Sequence, residues 1–304
     1  MTSKILYDRL APLYVIVAAS LWGVDGIVLR PSLYSLPVPL VVFIESAIVA
    51  VLLSPIFIRQ RKTILAIEKR GLLAFLGVAV FGGAVGTMAI TKALFYVDYV
   101  NLSIVVLIQK LQPVFALILA RLLLKERLPN SFFLWSSLAV AGTYFMTFGF
   151  KIPNLNTGEF TVLASLFALL AAFSFGFSTV LSKRALRNVT YAVGTYLRFL
   201  ITTILMLIIV LSVNQLGNIS DVTAHQWTIF GIIAVTSGGA AIFLYYFGLK
   251  RITASVATIC ELSFPLTAIV LEYILRGNIL TWPQWIGAFL LIYSIIRVTK
   301  LNGS

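Results

Sequence analysis

Apolar residues in this chain come in long runs, separated by short polar breaks. Ten runs stand out: 10–29, 37–58, 71–94, 99–121, 132–150, 158–181, 192–213, 227–249, 252–275 and 281–298. Each approaches the ~20 residues that carry an α-helix across the hydrocarbon core of a bilayer. The breaks hold the helix stoppers: Arg30-Pro31, Pro129-Asn130, Pro153-Asn154, the stretch Asn214 to Asp221, and Arg276-Gly277-Asn278. Helices and closed barrels are the two structures that satisfy every backbone polar group in lipid, and the alternating ~10-residue strands of a barrel are missing here. The pattern therefore predicts an all-α membrane protein with ten transmembrane helices. Lys4 and Arg9 precede the first run. That run exceeds the ~7–15-residue core of a signal peptide, so it is expected to remain as the first helix.

Composition agrees. Of 304 residues, 60% are hydrophobic and 11% charged, against about 25% charged in soluble domains. The mean hydropathy is +1.03. The net charge of +13 would suggest nucleic acid in a soluble protein, but no basic face interleaved with aromatics is present. The basic residues instead follow the rule that sets membrane topology. Seventeen of the 23 Lys and Arg fall on one side of the ten-span arrangement, and three (Arg30, Lys151 and Arg276) on the other. This places both termini in the cytoplasm, and an even span count agrees in requiring that they share a side. One cysteine (Cys260) and one histidine (His225) leave no intrachain disulfide, metal cluster or His-based catalytic template. No cofactor is called for, and nothing resembles a Walker A loop.

The chain also repeats itself. Val100-Asn101-Leu102-Ser103, Gln109 to Pro113 and Leu128 return 152 residues later as Ile252-Thr253-Ala254-Ser255, Glu261 to Pro265 and Leu280, and Gly86 returns as Gly238. Trp22-Gly23 returns as Phe175-Gly176. The halves, 1–152 and 153–304, hold five spans each. Five is odd, so the second half enters the membrane inverted, a transporter arrangement in which substrate binds near the midplane between halves.

Trp22-Gly23, Leu111-Gln112-Pro113-Val114-Phe115 with Lys125-Glu126-Arg127-Leu128, and Glu261-Leu262-Ser263-Phe264-Pro265 resemble the drug/metabolite transporter superfamily, and within it the EamA-type transporters. The resemblance covers nearly the whole chain. It implies a ten-helix fold with a central cavity, alternating access and a home in a bacterial cytoplasmic membrane. Two positions depart from the family pattern. The acidic residue after the fourth span is Glu126 in the first half but Asn278 in the second. The arginine of the seventh span is present as Arg198, whereas its mate in the second span is Glu45.

Ionisable side chains at bilayer depth cost at least ~2.5–3.5 kcal/mol each, so each is a functional candidate. Asp25 follows Trp22 by three residues, which puts both on one helical face. They read either as an aromatic wall with a carboxylate for a cation or proton, or as a core aromatic beside a wetted acid. Glu45 and Arg198 occupy mirror positions and could pair structurally or serve substrate or proton. Pro113 and Pro265 fall mid-span and are expected to kink their helices, freeing the carbonyls of Gln109 and Glu261. Glu261 lies on a stripe with Thr258, Pro265, Ala268 and Glu272, and Gln109 on one with Pro113, Ala116 and Ala120. Lys110, one residue off that stripe, could neutralise Glu261 or bind an anionic group; Lys92 could snorkel to an interface. Gly82, Gly83 and Gly86 read mainly as close-packing sites. Tyr245 and Tyr246 fit either an interface belt or a cavity wall.

The function expected is a secondary transporter for a small metabolite, an exporter or exchanger. The mixed charges suggest an amino acid or amine, with protons as a coupling ion. A lipid flippase component or a non-transporting membrane partner is the alternative. An enzyme is disfavoured because Glu261 and Glu272 lie ~16 Å apart along a helix, too far for a direct acid/base pair. Oligomeric state is not encoded.

Overall fold

The computed structural model describes residues 2–95, 105, 108–152, 160–277 and 279–301. Among them every regular element is helical. Helix α1 (Thr2–Val24) runs on through a wide π-helical turn (Asp25–Leu29) into a 3-10 turn (Arg30–Leu33). Next come α2 (Val38–Leu52) and α3 (Ser54–Leu65), then α4 (Lys69–Val78), which a second wide turn (Ala79–Val85) joins to α5 (Gly86–Phe95). The first half closes with α6 (Gln112–Leu119) and α7 (Asn130–Phe148). The second half holds α8 (Thr161–Ala185) and α9 (Tyr191–Ser212). After them come α10 (Ala224–Ile233), a wide turn (Ala234–Gly238) and α11 (Gly239–Leu249). The chain ends in α12 (Ala254–Cys260), α13 (Ser263–Arg276) and α14 (Trp282–Leu301).

Among the described residues, eight segments are long and apolar enough to cross a membrane: Tyr7–Leu33, Lys69–Ala93, Asn130–Phe148, Val162–Ala185, Tyr191–Ser212, Ala224–Leu249, Ala254–Leu275 and Trp282–Leu301. Leu73, Val162 and Phe289 show how the outer faces of such helices stay apolar and exposed, the arrangement suited to lipid. The start of the expected fourth span (99–104), residues 153–158 at the head of the second half, and Asn278 fall outside the described residues. The shorter apolar helix Gln112–Leu124 supplies the rest of the fourth run.

The second run departs from expectation. It divides into α2 and α3, which meet at a 75° bend. Leu53 has left ideal helical geometry (φ −89°, ψ −1°) and Pro55 is the second residue of α3. Proline offers no N–H and disfavours a helical residue before it, so the chain turns there.

Packing runs mostly between halves, and each contact has a counterpart. α1 packs on α11 and α13, while α8 packs on α4, α5 and α6. α9 packs on α2 and on the turn Ala79–Val85, while α2 also packs on the turn Ala234–Gly238. α7 packs on α14. The paired aromatic-Gly motifs explain two of these contacts. A Cβ on Gly23 would meet Thr267 Cβ at 2.9 Å and the Phe264 carbonyl at 3.0 Å; one on Gly176 would meet the Gln112 carbonyl at 2.9 Å. In each half, glycine lets the first span lie directly against the start of α13 or α6, the helices that carry Pro265 and Pro113.

Candidate functional site

The fourth and ninth spans are each interrupted at one point, with Leu111, Glu261 and Leu262 keeping right-handed helical dihedrals. Helix α12 ends at Cys260, and α13 restarts at Ser263. Likewise, α6 starts at Gln112, directly after a turn at Lys110 and Leu111. Pro113 and Pro265 therefore lie in the first turns of new helices, where proline is tolerated because those N–H groups need no helical acceptor. The expectation of a freed Glu261 carbonyl is corrected: it accepts from the Phe264 N–H at 3.1 Å. What the break presents is the Glu261 side chain.

Three donors from three elements converge on that carboxylate. Tyr245 Oη of α11 donates to Oε1 at 2.7 Å, Thr179 Oγ1 of α8 donates to Oε1 at 3.3 Å, and Gln112 Nε2 of α6 donates to Oε2 at 2.7 Å. Thr179 and Tyr245 also meet at 3.0 Å. Trp22 closes the group: its ring lies 5.4 Å from that of Tyr245, and its Nε1 donates to the Ser237 carbonyl at 3.0 Å. The adjoining Tyr246 is fully buried. Its hydroxyl meets Ser182 Oγ at 3.0 Å and accepts from Arg198 Nη1 at 3.4 Å. Both tyrosines thus face the interior rather than an interface belt.

Lys110 does not neutralise Glu261. Its ammonium lies over the Phe264 ring, 4.7 Å from the centroid, a cation–π placement. Gln109 is partly buried beside it, while Gln112, one turn on, is the residue that reaches Glu261. Gln112 is the first residue of α6 and lies off the stripe that runs from Gln109 through Pro113.

The other two candidates form a separate cluster with an arginine that the sequence pattern assigned to a connector. Arg30 Nη2 and Nε both donate to Asp25 Oδ2, at 2.6 and 3.2 Å. The same Nη2 lies 3.2 Å from Glu45 Oε1 and 3.4 Å from Oε2. Asp25 therefore pairs with Arg30 and is not among the groups gathered on Glu261, and Glu45 pairs with Arg30 rather than with Arg198. The wide turn is the cause. Residues five apart in an α-helix diverge by about 140°, but here the Arg30 N–H bonds to the Asp25 carbonyl, an i to i+5 link that brings the two side chains together.

At the opposite end, the loop between α11 and α12 is held from both sides. Lys183 Nζ donates to the carbonyls of Leu249, Lys250 and Ile252 at 2.8, 3.1 and 2.6 Å. Glu126 accepts from the N–H groups of Ala254 and Ser255 at 2.8 and 3.1 Å and from Ser255 Oγ at 2.5 Å. A carboxylate at a helix N-terminus meets both unpaired donors and the favourable dipole. Glu126 is thus a helix cap, which gives a structural reason for the acidic residue after the fourth span. Lys250 Nζ reaches the Val189 carbonyl, and burial together with the adjacent Arg251 lowers the Lys250 pKa.

A bundle of lipid-length helices with polar side chains gathered at helix breaks has the architecture of a membrane transporter. The comparisons with known proteins agree. The chain belongs to the EamA-like transporter family, whose model matches residues 9–148 and again 162–299. It is 48% identical over 291 residues to a protein of Fusobacterium nucleatum named riboflavin transporter ImpX, covering 95% of this chain and 97% of that one. An uncharacterized transporter of Synechocystis is 30% identical over 222 residues, covering 70% of this chain and 62% of the relative. A crystal structure of a protein 18% identical to this chain superposes with a TM-score of 0.74 over 96% of this chain and 97% of that one; it shares the fold.

Proposed function

We propose that this protein carries riboflavin or a closely related flavin across a bacterial cytoplasmic membrane. It would do so by alternating access between two inverted five-helix halves, residues 1–152 and 153–304, with both termini cytoplasmic. The observation that carries the substrate is the 48% identity, over nearly the full length of both chains, to a relative named a riboflavin transporter. The repeated packing pairs and the two matched stretches of the family support the two-half arrangement. The distribution of Lys and Arg supports its orientation.

The chemistry around Glu261 suits such a molecule. A flavin joins a flat aromatic ring system to a polyhydroxyl tail. Trp22 and Tyr245 offer aromatic faces, and Gln112, Thr179 and Glu261 offer donors and acceptors of both kinds. In this reading Trp22, Gln109, Lys110, Arg198 and Glu261 border the substrate path, and the breaks before α6 and α13 let its walls move. No chemical conversion of the substrate is invoked.

A second reading is export or exchange of an amino acid or amine. It is favoured by charges of both signs in the interior, Glu261 on one side and Lys110 over Phe264 on the other. A thermal-stability panel on the purified protein separates the two. A ligand that binds only the folded state stabilises it by about 2.7 kcal/mol at 100 times Kd. Stabilisation by riboflavin but not by amino acids or polyamines supports the flavin. The reverse supports the second reading, and a response to lipids alone favours a flippase component.

A further inference from the structure

The cluster at the end of α1 carries two acids for one base. Asp25 is 6% exposed, and its side chain and those of Arg30 and Glu45 are 9%, 23% and 15% exposed. The shared guanidinium leaves one negative charge uncompensated. It also leaves two buried oxygens, Asp25 Oδ1 and Glu45 Oε1, without a hydrogen-bond partner. A buried, unpaired carboxylate is among the costliest groups to keep in lipid, so the cluster calls for one more positive charge.

We propose that Asp25, Arg30 and Glu45 form a site for a single exchangeable proton, and that Glu45 is the group that takes it. The geometry selects Glu45. Asp25 Oδ2 holds two bonds from Arg30, the shorter at 2.6 Å, and keeps its ion pair. Glu45 is held only at 3.2 and 3.4 Å, and only the longer contact is aligned as a hydrogen bond. A hard metal cation is a poor occupant. It needs six or more oxygen ligands, whereas here a guanidinium sits between the two carboxylates. A cavity of about 10 Å³ bordered by Arg30, Tyr34 and Thr91 adjoins the guanidinium and is at the lower limit of room for about one water.

Tyr34 and Arg30 are the other groups that act electrostatically within the cluster. The neighbouring elements carry Arg198 on α9, Lys92 on α5, His225 on α10, Asp221 in the turn before it, and Glu272 and Arg276 on α13. Of these, Arg198 turns to Tyr246 and His225 is exposed. The consequence is mechanical. With Glu45 ionised, Arg30 ties the turn after α1 to α2. A proton on Glu45 loosens that tie and leaves Arg30 with Asp25. As a coupling device this rests on the transporter reading; the proton itself does not.

The test is an infrared pH titration of the purified full-length protein without substrate, following the C=O stretch of protonated carboxyls. E261Q removes the other interior carboxyl described above. E45Q and D25N, each made in the E261Q background, leave one acid with one guanidinium, a cluster that is neutral without a proton. Melting curves first establish that each variant is folded; if D25N is not, E45Q decides. The proposal predicts a titrating band of a water-shielded carboxyl, distinct from those of surface carboxyls, in wild type and E261Q that is missing when E45Q or D25N is added to E261Q. A band that survives in folded E45Q or D25N as it does in E261Q overturns it, as does the absence of any titrating band from E261Q. Riboflavin takes no part, so failure of the substrate reading leaves the result intact.

Discussion

Replacing Glu261 by alanine and by glutamine should have very different effects on stability. In the alanine variant, the hydroxyl of Tyr245 and the amide of Gln112 lose an acceptor at 2.7 Å each, and Thr179 loses one at 3.3 Å. An unpaired buried donor costs about 1–3 kcal/mol. Thr179 and Tyr245 retain each other at 3.0 Å, so the losses amount to two rather than three. Side-chain hydrogen bonds between membrane helices measure lower than in water-soluble cores, about 0.6 kcal/mol on average and about 1.7 at most. Together these give about 2–4 kcal/mol for E261A. Glutamine keeps an oxygen for Tyr245 and Thr179, and the Gln112 amide can turn to offer its oxygen to the new NH₂. Only the charge assistance is lost, about 1 kcal/mol. At about 2–4 °C per kcal/mol, melting in detergent should separate the two variants by about 2–12 °C, with E261A the lower. Equal melting of E261A and E261Q would refute the view that this carboxylate is the shared acceptor joining α6, α8 and α11.

Three further outcomes are expected. Trp22→Leu removes the aromatic face 5.4 Å from Tyr245; riboflavin affinity, read from quenching of flavin fluorescence, should fall about three- to tenfold, and unchanged affinity would take Trp22 out of the site. Gly287→Val places a Cβ 2.3 Å from the Met146 nitrogen and 2.7 Å from the Gly142 carbonyl; α7 and α14 cannot close over it, so melting should drop by at least the ~1–3 kcal/mol of an overpacked core, and wild-type melting would contradict the packing described. Glu126→Ala uncaps α12 at a cost of about 0.5–2 kcal/mol, and amide hydrogen exchange at Ala254 and Ser255 should quicken while the rest of the bundle is unaffected.

The membrane class and most span positions were legible from apolar runs alone, because burial in lipid demands such lengths. For one of the repeated motifs the structure supplies a physical reason: glycine at 23 and 176 allows backbone contact with a facing helix start. Local backbone departures were not legible. The bend at Leu53 is written in Ser54-Pro55, yet a hydropathy window reads straight across it. The Asp25–Arg30 pair is invisible to a 3.6-residue wheel because it forms only through a wide turn. Pro113 and Pro265 marked the interruptions, but which side chain beside them turns to the carboxylate was not legible: it is Gln112 rather than Gln109 that reaches Glu261. Glu45 and Arg198 were plausible partners by symmetry; the nearer Arg30 takes Glu45, and Arg198 turns to Tyr246.

The most direct test of the central claim is uptake of labelled riboflavin into proteoliposomes holding the purified protein, with riboflavin preloaded inside to drive exchange. The account predicts saturable uptake that protein-free liposomes lack, that excess unlabelled riboflavin abolishes, and that Trp22→Leu weakens. Uptake equal to that of protein-free liposomes, from protein that melts cooperatively as a folded bundle, would contradict it.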